Sequence, residues 1–169
     1  MPGQDNLIKV FEYALNQEKT GMSFFQASLK RLGIGAAVSA FERLIQEEQR
    51  HIDFINRVLG DLKDTGRIDL VRVREVVIEP VDFFDARARS EFLEQGLAGS
   101  MVPDVTVFNM AWLIERDLSE FYAHAASKAE GAPASAFQML ADWEKRHELF
   151  FKEYRDRLTD EYSRMPWGG

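Results

Sequence analysis

Six residues of this chain have the types and spacings that bind metal: Glu18, Glu48, His51, Glu115, Glu144 and His147. His51 and His147 each follow a glutamate by three positions. On a helix, at about 100° per residue, each Glu-x-x-His pair therefore directs two ligands nearly one way. The pairs are copies of each other. Sliding the sequence against itself by 96 positions superposes Phe41, Leu44, Glu48, Arg50, His51 and Phe54 on Phe137, Leu140, Glu144, Arg146, His147 and Phe150. A slide of 97 superposes Ala14, Glu18, Phe24 and Phe25 on Ala111, Glu115, Phe121 and Tyr122. Each copy thus supplies one separate Glu and one Glu-x-x-His. Four carboxylates with two neutral imidazoles balance two divalent cations. Glu and His suit iron, manganese or zinc.

Four elements must position these ligands. Apolar residues recur at spacings of three and four over 5–31, 36–59, 104–130 and 134–160, the pattern of amphipathic helices with a buried stripe. Asp5 and Asp104 are the expected N-caps, Pro133 suits the first turn, and Gly60 and Gly131 mark stops. Gly33-Ile34-Gly35 and Gly131-Ala132-Pro133 are short breaks, so each helix pair forms an antiparallel hairpin. The expected architecture is all-α, a four-helix bundle of two repeated hairpins, 5–60 and 104–160, within a single domain spanning 1–169. A long crossover, 61–103, joins the hairpins, and 161–169 is a tail. Within the crossover, 69–80 carries β-branched residues with partial alternation, and Asp82 to Leu97 suits a short helix. We read the segment as a crossover along the bundle in preference to an extended dimerisation arm. The 69–80 stretch and the tail near Trp167 are the candidate contacts for a homodimer.

The four glutamates fall on faces that should be core. Glu18 shares its face with Phe11, Ala14, Leu15, Gly21, Met22 and Phe25, and Glu48 with Phe41, Leu44, Ile45, Ile52 and Ile55. Glu115 lies among Phe108, Ala111, Trp112, Leu118 and Tyr122, and Glu144 among Phe137, Leu140, Ala141 and Phe151. A buried carboxylate is costly unless it is paired, neutralised or bound to metal, and these stripes offer no matching Lys or Arg. Protonated, hydrogen-bonded glutamates are the alternative, but they leave the duplicated histidines unexplained. At about 1.5 Å rise per residue, Glu18 and Glu48 reach one level on either side of the first turn, and Glu115 and Glu144 nearly so. All six ligands therefore meet in one layer at mid-bundle.

Composition narrows the function classes. The chain has 169 residues, a formal charge of −7, three His and no Cys. A disulfide framework, a Cys nucleophile, an iron–sulfur cluster and a four-cysteine iron site cannot form within it. The acidic balance and the lack of a basic run argue against nucleic acid or an anionic membrane as partner. No stretch approaches the ~18 consecutive apolar residues of a membrane span. The N-terminal MPGQDNLIKVFEYAL lacks a basic leader before an apolar core, so a cytoplasmic location is expected.

One Glu from each of two helices and Glu-x-x-His from each of two others is the ligand set of ferritin-like di-iron and di-manganese bundles. Within that superfamily the chain resembles the rubrerythrin-like branch. The carrying residues are Glu18-Lys-Thr-Gly-Met-Ser-Phe-Phe25, Glu48-Gln-Arg-His51, Glu115-Arg-Asp-Leu-Ser-Glu-Phe-Tyr122 and Glu144-Lys-Arg-His147. The resemblance implies that Glu48 and Glu144 bridge two irons, that Glu18 and Glu115 are terminal, and that His51 and His147 ligate one metal each. It also implies reaction of ferrous iron with dioxygen or hydrogen peroxide. Two departures bear on peroxidase turnover. Rubrerythrins carry a second Glu one turn after the third-helix ligand, where this chain has Leu118, and a C-terminal iron domain with four cysteine ligands, of which this chain has none. Its reductant is therefore expected to be an external electron donor. A non-catalytic iron storage or delivery protein and a di-manganese catalase are the alternative readings.

Other residues read more plainly. His124 is about 180° from Glu115 and belongs to the surface. Glu148, one turn after Glu144, is a rim residue or an outer partner of the metals. Tyr122 is placed to hydrogen-bond near them, but its repeat equivalent Phe25 favours packing. Trp112 and Trp143 are expected in core or interface. Arg50 and Arg146 serve outer-face salt bridges, and Met22 and Met139 fill core.

Overall fold

Each of the four periodic stretches is a helix. The computed structural model describes residues 3–30, 36–75 and 105–164, and among them the elements are α1 (Gln4–Leu29), α2 (Ala36–Thr65), α3 (Leu70–Arg74), α4 (Val105–Lys128) and α5 (Gly131–Arg164), with no strand. No described helix is long and apolar enough to cross a membrane.

The helix ends correct several expectations. α1 is capped by Gly3 without a side-chain bond, and Asp5 lies inside its first turn. The helix starts early because Gln4 is anchored: its Nε2 donates to the Leu62 carbonyl at 2.8 Å. α2 passes through Gly60, the expected stop, and ends at Thr65, because Leu59, Asp61 and Leu62 continue its buried face. The turn falls instead at Gly66, whose φ of +73° favours glycine. Gly60→Ala is therefore expected to stabilise the fold by about 0.5–1 kcal/mol, since a Cβ there meets nothing within 4 Å. Gly66→Ala should cost about 1–2 kcal/mol through its backbone, with the Gln4 side chain also in the way at 3.2 Å. Urea midpoints moving in opposite directions for the two variants check this.

The start of the β-branched stretch is helical rather than extended. Asp69 caps α3, its Oδ1 accepting from the N–H groups of Val71 and Arg72, while Val73 is fully buried. α5 begins at Gly131 and runs through Arg164, absorbing the start of the expected tail; Arg164 pairs with Asp160 at 2.7 Å. Asp104, the rest of the crossover with the Asp82 to Leu97 helix, and Trp167 lie outside the described residues.

Both hairpins are antiparallel. Lys63 near the end of α2 reaches Glu12 near the start of α1, at 2.7 Å, and Arg155 late in α5 reaches Asn109 early in α4, at 3.4 Å. α1 and α5 run parallel across the core, where Phe11 stacks on Phe137 and Phe25 on Phe151. The start of α4 lies by the start of α2, through Phe41 and Phe108. α2 thus ends, and α4 begins, at opposite ends of the bundle.

The core is in two parts. One contains Phe11, Phe54, Ile55, Val58, Leu62, Leu118, Phe137 and Leu140, the other Phe25, Phe41, Leu44, Phe108, Ala111, Phe151 and Tyr154. On every long helix the polar ligand candidates lie between the residues of these two clusters.

Candidate metal centre

The layer between the clusters is polar and sealed. Glu18, Glu115 and Glu144 are wholly buried, and Glu48, His51 and His147 are at most 3 % exposed. Glu48, His51, Glu144 and His147 each offer one ligand atom, and these atoms all lie within 4.8 Å of one another. His51 Nδ1 faces Glu144 Oε1 at 2.6 Å, Glu48 Oε2 at 3.5 Å and Glu18 Oε2 at 3.8 Å. His147 Nδ1 faces Glu48 Oε1 at 3.0 Å, Glu115 Oε2 at 3.4 Å and Glu144 Oε2 at 3.5 Å. Glu48 and Glu144 therefore stand between two groups, Glu18 with His51 and Glu115 with His147. The two imidazoles stack at 5.3 Å.

These residues fit a pair of metal ions. Glu18 Oε2 and both oxygens of Glu115 are buried without a hydrogen bond, and both imidazoles turn Nδ1 toward carboxylate oxygens. Unpaired carboxylate oxygens in a buried layer are costly unless a cation satisfies them. A donor set of carboxylate oxygen and imidazole nitrogen, with no thiolate, suits iron, manganese or zinc.

Without metal the layer shares protons. Burial raises the Glu18 and Glu115 pKa values well above 4.5, reinforced by the Glu144 charge at Glu18 and by the Glu48 charge at Glu115. Burial acts the same way on Glu144 and Glu48, but the neighbouring histidines outweigh it. Glu144 falls well below its ordinary value, chiefly through His51, and Glu48 falls as well. For His51, burial opposes charge, yet Glu144 and Glu48 hold its pKa well above 6.5. His147 also rises against its burial, through Glu115 and Glu144. Without metal the histidines therefore favour their charged form, Glu18 and Glu115 their neutral form, and Glu48 and Glu144 their anionic form.

Three neighbours of the ligand candidates go beyond their sequence reading. Tyr122, placed by spacing to hydrogen-bond near the metals although its repeat equivalent favoured packing, is fully buried and donates its hydroxyl hydrogen to Glu18 Oε1 at 2.5 Å. Burial raises its pKa well above 10, so the phenol keeps its proton. Trp143 is in the core, as expected, but also stacks on His51 at 5.2 Å with an 11° interplanar angle. Glu47 was missed. Its Oε2 lies 3.7 Å from His147 Nε2 and its Oε1 3.5 Å from Arg50. It precedes Glu48, but its repeat counterpart is Trp143, so duplication gave no signal.

The remaining assignments are simple. His124 is exposed. Glu148 is buried but turns to Lys145, at 2.6 Å. Trp112 lies under the guanidinium of Arg155, 4.1 Å from its ring centre. Met139 packs against the first core cluster.

The comparisons agree with this geometry. A protein-family model described as Rubrerythrin matches residues 9–155, from the second turn of α1 to late in α5. No curated protein and no solved structure gives a significant match.

Proposed function

The chain belongs to the rubrerythrin family, and we propose that its buried layer holds two iron ions and oxidises them with dioxygen or hydrogen peroxide. The observation that carries this reading is the sealed cluster of Glu48, His51, Glu144 and His147, flanked by Glu18 and Glu115. Glu48 and Glu144 would be shared between the metals. Glu18 with His51 would complete one position, and Glu115 with His147 the other. When bound, two ferrous ions supply two electrons, which is what one peroxide needs to become water.

The protein's own residues do the rest. The phenylalanines of the two core clusters keep bulk water from the layer, which strengthens every charge interaction inside it. Tyr122 fixes the orientation of Glu18 and holds a proton on its Oη atom. Leu118 packs in the apolar core, at the place where rubrerythrins carry a further glutamate, so α4 has no second carboxylate there to exchange. That favours ferrous oxidation, with an external donor for any repeated turnover, over rubrerythrin-type peroxidase cycling. The location we propose is the cytoplasm.

Anaerobic loading of the metal-free protein with ferrous iron, then exposure to oxygen or peroxide, tests the reading. Ferric absorbance should appear in proportion to bound iron, with about one peroxide consumed per two irons, as the electron count requires. Iron bound at this level without oxidation would leave a storage or delivery protein. Native manganese with rapid oxygen evolution from peroxide would establish a catalase.

A further inference from the structure

The ligand candidates repeat between the two halves of the chain, but their surroundings do not. Tyr122 holds Glu18, whereas its repeat equivalent Phe25, the residue matched to it in the other hairpin, has no hydroxyl to offer Glu115. Glu47 stands behind His147, whereas its counterpart Trp143 lays an indole face on His51. Both differences act in one direction. The Glu47 carboxylate, steadied by Arg50, lies 3.7 Å from His147 Nε2, so its charge favours the proton on that nitrogen and leaves Nδ1 as the electron donor, and a carboxylate behind a histidine makes it a stronger ligand. Glu115 has both oxygens without a hydrogen bond, while one oxygen of Glu18 is engaged by a phenol.

Resting on the di-metal reading above, we infer that the two positions are inequivalent: the one formed by Glu115 and His147 is the tighter and fills first, and the one formed by Glu18 and His51 is weaker and fills second. The protein then passes through a one-metal state in which the layer is half loaded.

Titration of the metal-free full chain with Co²⁺ under nitrogen, followed by visible absorption and calorimetry, tests this without any turnover. Two resolved steps of one equivalent each are expected. Glu47→Gln should weaken the first step by about 10- to 100-fold and spare the second, the range that loss of an outer partner costs. Tyr122→Phe should alter only the second. Glu47 is partly exposed, at 14 %, so its variant is expected to fold, which circular dichroism checks. Two equivalents in a single step would overturn the inequivalence and leave the di-metal reading standing. A Glu47→Gln effect on the second step, or equally on both, would overturn the assignment of the tighter position. No Co²⁺ binding at all would overturn both.

Discussion

Glu48→Gln combined with Glu144→Gln is expected to abolish binding of both metal ions, whereas Glu18→Gln or Glu115→Gln alone should each lose one. The distinction follows from position. Glu48 and Glu144 approach both histidines, and Glu18 and Glu115 only one each. Replacing the central pair removes two negative charges from a layer that must neutralise four positive ones, and no Lys or Arg is buried among the described residues. Affinity should fall by more than the ~100-fold that outer partners command. Elemental analysis after loading gives the stoichiometry, and melting temperature gives an independent reading. A ligand at 1,000 times its dissociation constant stabilises by about 4 kcal/mol, and the double variant should lose that increment entirely. Retention of two metals by the double variant would place the site elsewhere.

The metal-free protein should be most stable in mild acid and lose stability as the pH rises above 6.5. His51 and His147 have folded pKa values well above 6.5, so their contribution is complete below that pH and is lost as the pH rises through the folded values. Glu18 and Glu115, raised well above 4.5, act in the same sense: complete below 4.5 and eroding above it. Glu48 and Glu144 are lowered, so their contribution is present above 4.5 and is lost as the pH falls through the folded values. His51, His147, Glu18 and Glu115 all have raised pKa values, so loading divalent cations should displace protons from the layer. Urea midpoints of the metal-free protein at pH 6 and 9, together with calorimetry in buffers of different ionisation enthalpy, measure both effects. A midpoint that stays level or rises over that interval, or release of no protons, would contradict the proton-sharing layer.

The six ligand candidates were legible because they break a rule twice. A carboxylate on an apolar stripe is conspicuous, and the same breach 96 or 97 residues later identifies the partners that folding brings together. The four long helices were legible from periodicity. Helix ends were less so, because the stop at Gly66 instead of Gly60 depends on tertiary burial of Leu59 and Leu62. Spacing placed a hydrogen bond from Tyr122 near the metals without naming its acceptor, and it left Glu47 unseen. Their partners, Glu18 and His147, lie on other helices, and the repeat pairs Tyr122 and Glu47 with Phe25 and Trp143, residues of another chemistry. Repetition finds what both halves keep, and contact across the bundle is needed to find what they do not.

A polar stratum between two apolar ones also fixes how the helices may slide past each other. Stacks such as Phe11 on Phe137 and Phe25 on Phe151 share one spacing along α1 and α5. Apolar contacts of that kind leave no charge unmatched when displaced by a turn, about 5.4 Å. The carboxylates differ. A one-turn slip of α1 would move Glu18 from Tyr122 and His51 toward aromatic neighbours and leave its charge unmatched. The same residues that are costly to bury without metal therefore disfavour alignments other than the one in which they face each other.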